Sequence, residues 1–299
     1  MKLWRTLCAC ALAVTVLGCG AAYAAETEEV MVELPEVYFD GTTRLDEFSL
    51  FEDATWGEDD TKYREQLSDQ GKKLYDGFEE LFSEGIPAID TTGARACITL
   101  ERAYTGTISP SSYGNNAQAA LNAWNEMVKA DIYGAMSAFT YDHPEYFWIR
   151  TDMGFNSSGF VTNQEMTCSA NAKFYLSENC ESVEQINAFN QAVNEVVKNL
   201  KDAAEGMSSV EKLAFFDNWL AANNVYNTEA ANASEGYIKS DVTPWSVIGG
   251  LVSEYSPVCE GYAKSLKLLC DQVGIPCITV SGTANGGGHM WNAVKLDGT

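Results

Sequence analysis

Near the C-terminal end of this 299-residue chain, the stretch SPVCEGYAKSLKLLCDQVGIPC places Cys259 where a helical pattern begins. Tyr262, Ala263, Leu266, Leu269, Cys270 and Val273 recur on one face, while Lys264, Lys267, Asp271 and Gln272 fall on the other. Gly274 and Pro276 then end the run in the order usual for helix stops. A cysteine in a first turn meets unpaired backbone N–H groups and the positive end of the helix dipole. Both stabilise a thiolate, and such sites can lower a thiol pKa from about 8.5 to ~3.5–7.5. The same N–H groups can hold the oxyanion of a tetrahedral intermediate. Gly261 keeps the surroundings uncrowded.

A thiolate nucleophile needs a base, and the chain has only two histidines, His143 and His289. His289 lies 30 residues after Cys259 in GGGHMWNAVKLDG, which reads as a glycine loop, a strand and a turn; ITVSG before it reads as another strand. Glycines 286–288 permit close backbone approach where the two elements should meet. Alone, His289 would be an ordinary histidine at a strand start. With a helix-start cysteine upstream, the pair reads as nucleophile and base, and the chemistry as attack on an acyl carbon through an acyl-enzyme. Cys259 and His289 are the candidate catalytic residues. Trp291 and Asn292 either shape that site or simply pack, and Tyr262 reads as core. His143, between Asp142 and Pro144, reads as a turn residue.

The cysteine count offers a competing use for Cys259. Residues 1–24 read as a signal peptide: Lys2 and Arg5, an apolar run from Leu7 to Leu17, then Ala22-Tyr23-Ala24 before the cut. The alternatives are an uncleaved anchor and a lipid attached at Cys19 of Val16-Leu17-Gly18-Cys19. Six cysteines follow Ala24, at 97, 168, 180, 259, 270 and 277, and an even count in an exported chain suggests three disulfides. If Cys259 is free, at most two form, with Cys168–Cys180 and Cys270–Cys277 as the local choices. No cysteine–histidine cluster has zinc spacing, and the acidic runs do not match a calcium loop, so neither metal nor cofactor is expected. The formal charge of −23, spread along the chain, argues against nucleic acid and anionic membrane surfaces as partners. A protein or peptide substrate, cell-wall associated or not, suits an acidic exported chain.

The elements that must position the two residues form a mixed pattern. Residues 25–60 read as an acidic linker with one extended piece, MVELPEVYF. Residues 61–184 read as an α+β region: a helix on Leu74, Phe78, Leu81 and Phe82; a strand in ACITLERA; a long helix on Leu121, Trp124, Val128, Ile132 and Met136; and a small antiparallel sheet with NSSG as its turn. From residue 185 to 299 a third helix is followed by a fourth, opened by the capping box Ser208-Ser209-Val210-Glu211 and ending at NNVYNT.

The segments VCEGYAKSLKLLCDQVGIPCITVSG and GHMWNAVKLDG together resemble the bacterial transglutaminase-like superfamily, a branch of the papain-like cysteine acyltransferases and proteases. The likeness covers roughly residues 205 to 299 and includes FFDNWLAANNVYN, which is similar to the helix that leads into that domain. More faintly, YDHPEYFW resembles a stretch that precedes the domain in exported bacterial proteins. The resemblance implies an α+β fold with a papain-like core, the cysteine helix packed on an antiparallel sheet. It also implies a Cys-His-Asp triad with Cys259 as nucleophile and His289 as base. The family's acid lies beyond the hairpin turn, past Thr299, and Asp297 belongs to the turn; the core is therefore expected to be incomplete at its C-terminus. The implied activity is extracytoplasmic chemistry on amide or peptide bonds, with water as acceptor in a protease or amidase and an amine as acceptor in cross-linking. The competing readings are a peptidoglycan hydrolase of another papain-like type and a non-catalytic surface scaffold.

Overall fold

A computed structural model describes residues 30–39, 62–162, 164–233, 243–252, 254–284 and 287–296. The expected signal peptide, the lipid-attachment alternative at Cys19, most of the acidic linker and Asp297 lie outside the described residues. The described chain is α+β. A five-stranded antiparallel sheet takes the order β1-β4-β5-β3, with β2 also on β4. Its strands are β1 (Val30–Glu33), β2 (Val37–Phe39), β3 (Cys97–Ile108), β4 (Ile149–Thr162) and β5 (Glu165–Leu176). MVELPEVYF thus supplies two short strands along one edge of the sheet. In β5 the residues Met166, Cys168, Ala170, Ala172 and Phe174 are buried in strict alternation, the period-2 signature of a sheet with one covered face.

Two helices belong to this half. In α1 (Asp69–Ser83), Ser68 caps the start by accepting from Gly71 N at 3.0 Å, and Leu74, Tyr75, Phe78 and Phe82 are buried. The long helix α2 (Ala117–Asp142) is capped by Asn116 and buried almost without a break from Ile132 to Phe139. One expectation fails here. Asn156-Ser157-Ser158-Gly159, read as a turn, runs through the middle of β4, paired with residues 168–171 of β5 on one side and, from Ser158, with β1 on the other. Turn propensity is a weak local preference, and sheet pairing on both sides outweighs it.

Among the described residues, five α-helices and a hairpin follow: α3 (Val183–Ala203), α4 (Ser209–Asn223), α5 (Thr228–Ala231), α6 (Val247–Leu251), α7 (Cys259–Asp271), β6 (Cys277–Ala284) and β7 (Gly287–Val294). The capping box at Ser208 and Glu211 is present. β6 and β7 pair antiparallel, with Gly282 opposite His289. The apolar core is continuous from Phe78, Phe139 and Phe174 through Ile186 and Val193 to Leu268 and Leu269, crossing residues 184 and 185. A smaller cluster of Cys270, Ile275 and Cys277 lies apart from it.

Polar contacts join the first half to the hairpin. The Tyr63 hydroxyl donates to the Thr279 carbonyl, and the Ser281 hydroxyl lies 3.4 Å from that of Tyr141. Asp142, at the end of α2, accepts from Tyr63 N at 2.9 Å, Arg64 N at 3.2 Å and the Tyr75 hydroxyl at 3.1 Å. Burial pushes its carboxyl up despite these donors. His143 follows as the C-cap of α2, held by the Tyr75 hydroxyl at 3.0 Å and by Glu145 at 2.8 Å, which is a structural use of the ring.

Candidate functional site

Helix α7 starts where the sequence predicts, with Cys259 as its first residue. No side chain caps it at Val258, so the first-turn N–H groups stay available to other partners. Val258 N donates to Pro244 O at 2.9 Å, which fixes the entry of the chain into the helix. Gly261 is needed here for a definite reason: a Cβ at that position would lie 2.5 Å from Pro244 O and 3.2 Å from Ser246 O. The glycine lets the first turn pack on the 244–246 backbone. The glycines before His289 have no such role where they are described, since a Cβ on Gly288 would meet nothing.

Three walls form a cleft of about 640 Å³. Helix α4 contributes Val210, Leu213 and Asp217, one face at helical spacing. Helix α7 contributes Cys259, Tyr262 and Leu266 at the same spacing. Strand β7 contributes His289, Trp291 and Val294. The structure thus brings Cys259 and His289 to one cavity. No hydrogen bond joins the two side chains among the described residues. Cys259 is half-buried, whereas the His289 ring is exposed and tilted against Trp291 at 5.9 Å between ring centroids.

Tyr226, between α4 and α5, is the residue that sequence reasoning missed. Its phenol lies beside the Cys259 thiol and backbone N–H, close enough for each group to act on the other's charge. Burial pushes the phenol above its ordinary value, and the neighbouring thiol adds to that shift. Its ring stacks on Tyr262 with centroids 6.4 Å apart and planes within 5°. The asparagines of NNVYNT explain how it is held. Asn224 Nδ2 donates to Leu220 O and Gly250 O, each at 2.9 Å, and Asn227 N donates to Pro257 O at 2.9 Å. Asn-rich spacing after a helix was the available signal, but only the fold shows that it pins an aromatic ring beside Cys259.

Asn292 and Trp291 separate into different uses. Asn292 Nδ2 donates to Ala263 O at 2.9 Å and approaches Ile278 O at 3.4 Å and Cys277 Sγ at 3.5 Å, tying the His289 strand to the Cys259 helix. Trp291 lies over Gly282, where a Cβ would come within 2.6 Å of its ring, and it remains 42% exposed in the cleft wall. Tyr262, read as core, lines the cleft.

Lysines 264 and 267, on the face of α7 opposite its apolar stripe, are not open to solvent. The helix packs against α4, α6 and both hairpin strands. Its charges are therefore held in pairs four residues apart, Glu260–Lys264 at 2.8 Å and Lys267–Asp271 at 2.9 Å, with the Lys267 ammonium also donating to Cys277 O at 3.2 Å.

All six cysteines after Ala24 are thiols. The Cys168–Cys180 bridge is ruled out by the fold. Cys168 stands eight residues before Leu176 on β5, a span of about 26 Å. The four residues from there to Cys180 retrace at most about 14 Å, which leaves the pair beyond the ~7 Å a disulfide allows. Among the described residues no group of three or more His, Cys, Asp or Glu could hold a metal, and no helix is long and apolar enough to cross a membrane.

No protein-family model and no curated protein matches the chain. Among solved structures, one described as "Crystal structure of a TGase" is similar over 48% of this chain and 41% of that one, at 18% identity and a TM-score of 0.33. The chain thus spans less than half the length of that protein.

Proposed function

We propose that the cleft is the active site of an extracytoplasmic, transglutaminase-like thiol enzyme with a papain-like core, acting on amide or peptide bonds. The observation that carries this reading is the joint placement of Cys259, on the first turn of α7, and His289, on β7, in one cavity. His289 takes the thiol proton as Cys259 Sγ bonds to the acyl carbon. The carbonyl oxygen becomes an oxyanion, for which the first-turn N–H groups of α7 and the Tyr226 hydroxyl beside Cys259 are the donors at hand once substrate separates them. Collapse breaks the C–N bond; the imidazolium gives its proton to the leaving amine, and an acyl-thioester stays on Cys259. Water as acceptor completes hydrolysis, and a primary amine completes transfer.

The test offers a glutamine-containing peptide together with a fluorescent primary amine, and reads both released ammonia and incorporated label. Intact-mass and peptide analysis then locate the acyl group. An adduct on the Cys259 peptide, absent after Cys259→Ala, is the expected result. Turnover that survives Cys259→Ala, or acylation confined to another residue, removes the proposal.

A further inference from the structure

The proposed reaction uses the thiol at one end of α7 and leaves a second pair of sulfurs untouched at the other. Cys270 sits in the last turn of the helix at 0% exposure, and Cys277 opens β6 at 1%. The chain between them turns back tightly: Ile275 N donates to Cys270 O at 3.0 Å, and Gly274 takes φ +70°. As a result the two thiols are buried together in one small apolar cluster with Ile275. Asn292 Nδ2 lies 3.5 Å from Cys277 Sγ, and Lys267 Nζ lies 3.2 Å from the Cys277 carbonyl oxygen.

We infer that Cys270 and Cys277 form a disulfide site, oxidised by thiol–disulfide exchange, which locks the end of the nucleophile helix to the hairpin that carries His289. The inference does not rest on the proposed reaction. It rests on two fully buried sulfurs that share one three-residue cluster across one tight turn, the placement from which a disulfide can close.

Packed together, the two thiols shift each other, Cys277 down and Cys270 up, while burial raises both. Cys277, on the hairpin strand that leaves α7 when the hairpin opens, is the sulfur that attacks first. With a small disulfide such as oxidised glutathione as oxidant, Cys277 Sγ bonds to one carrier sulfur and expels the other as a thiolate. Cys270 then loses its proton to solvent, its sulfur bonds to Cys277 Sγ, and the second carrier thiolate leaves. Two protein thiols have lost two electrons and two protons, and the carrier disulfide has become two thiols.

Both sulfurs are buried, so exchange occurs before the hairpin packs on α7 or during its local opening. Once formed, the bond is shielded by the same packing. Its place in the hairpin makes it relevant to the site: Cys277 is opposite Val294, Thr279 opposite Asn292 and Gly282 opposite His289. Fixing Cys277 to α7 fixes the register from which His289 projects.

The test equilibrates the purified chain with oxidised and reduced glutathione over a range of ratios, both native and after refolding from denaturant. Samples are quenched in acid, denatured, alkylated and digested without reduction. The expected product in the refolded sample is a Cys270–Cys277 linked peptide lighter by two hydrogen atoms, formed equally in the Cys259→Ser variant. The oxidised protein should also melt several degrees higher than the reduced one, and that difference should vanish in the Cys270→Ser/Cys277→Ser double variant. Alkylation of both residues at the most oxidising ratio in both samples overturns the inference. So does capture of either sulfur by a different cysteine.

Discussion

The two ends of α7 carry the same residue type and give it opposite surroundings. At the first turn Cys259 is half-buried, faces an open cleft and lies beside uncapped N–H groups and the Tyr226 phenol. At the last turn Cys270 is sealed, adjoins the Asp271 carboxylate and packs in an apolar cluster with Ile275 and Cys277. The helix dipole favours an anion at the first position and opposes one at the second, and burial acts in the same sense as the dipole. A thiol in the first setting suits nucleophilic attack, and one in the second suits packing or a covalent lock. Position along one helix, more than the cysteine itself, divides these roles.

Mutation can break that division most directly at Cys259. Cys259→Ala should lower turnover of an amide or acyl substrate by about 10⁴-fold or more, as loss of a nucleophile does elsewhere, while the thermal midpoint stays near that of the parent. Activity retained at that position would show that the open end of the helix is not the reactive one. His289→Ala should lower kcat by about 10²–10⁴-fold, and a loss confined to KM would assign the ring to binding instead.

A finer probe is the phenol beside the thiol. Tyr226→Phe keeps the ring stacked on Tyr262 and removes only the hydroxyl, so kcat/KM should fall by about 10²-fold as one oxyanion donor is lost. An increase in rate would mean that the hydroxyl blocks the thiol. In the fully reduced protein, iodoacetamide should label Cys270 and Cys277 on the order of 10²-fold more slowly than Cys259, because the buried pair reacts only on local opening. Peptide mapping by mass spectrometry reads this, and faster labelling at Cys270 would invert the comparison. The smallest effect is expected for Cys270→Ala, which should lower stability by about 1–2 kcal/mol through a small cavity, measured by urea unfolding, with turnover near that of the parent.

Much of the site could be read from local pattern. The start of α7 at Cys259, its stop at Gly274, the capping box at Ser208 and the two strands around the glycine loop follow from spacing and from residue types with one strong backbone preference. Those features involve neighbours in sequence, so the sequence states them. Lys267 shows where that ends. Its position on the helix wheel predicts solvent, yet it is buried because other elements enclose α7 on that side, and its charge is met by Asp271 four residues on. The Asn156–Gly159 segment failed for a related reason: its turn preference is local, whereas the pairing that makes it a strand comes from residues 168–171 and from the far N-terminal β1.

The sequence by itself therefore determined the chemistry on offer, a helix-start cysteine and a strand histidine, together with the elements that carry them. The tertiary structure alone decided which groups those residues meet. It set Tyr226 beside Cys259, tied Asn292 across to Ala263, and buried Cys270 and Cys277 in one cluster while leaving Cys168 far from Cys180. The physical reason is that helical and strand periods are properties of short windows, whereas the meeting of side chains from separate elements depends on how those elements pack, and a single period does not encode that.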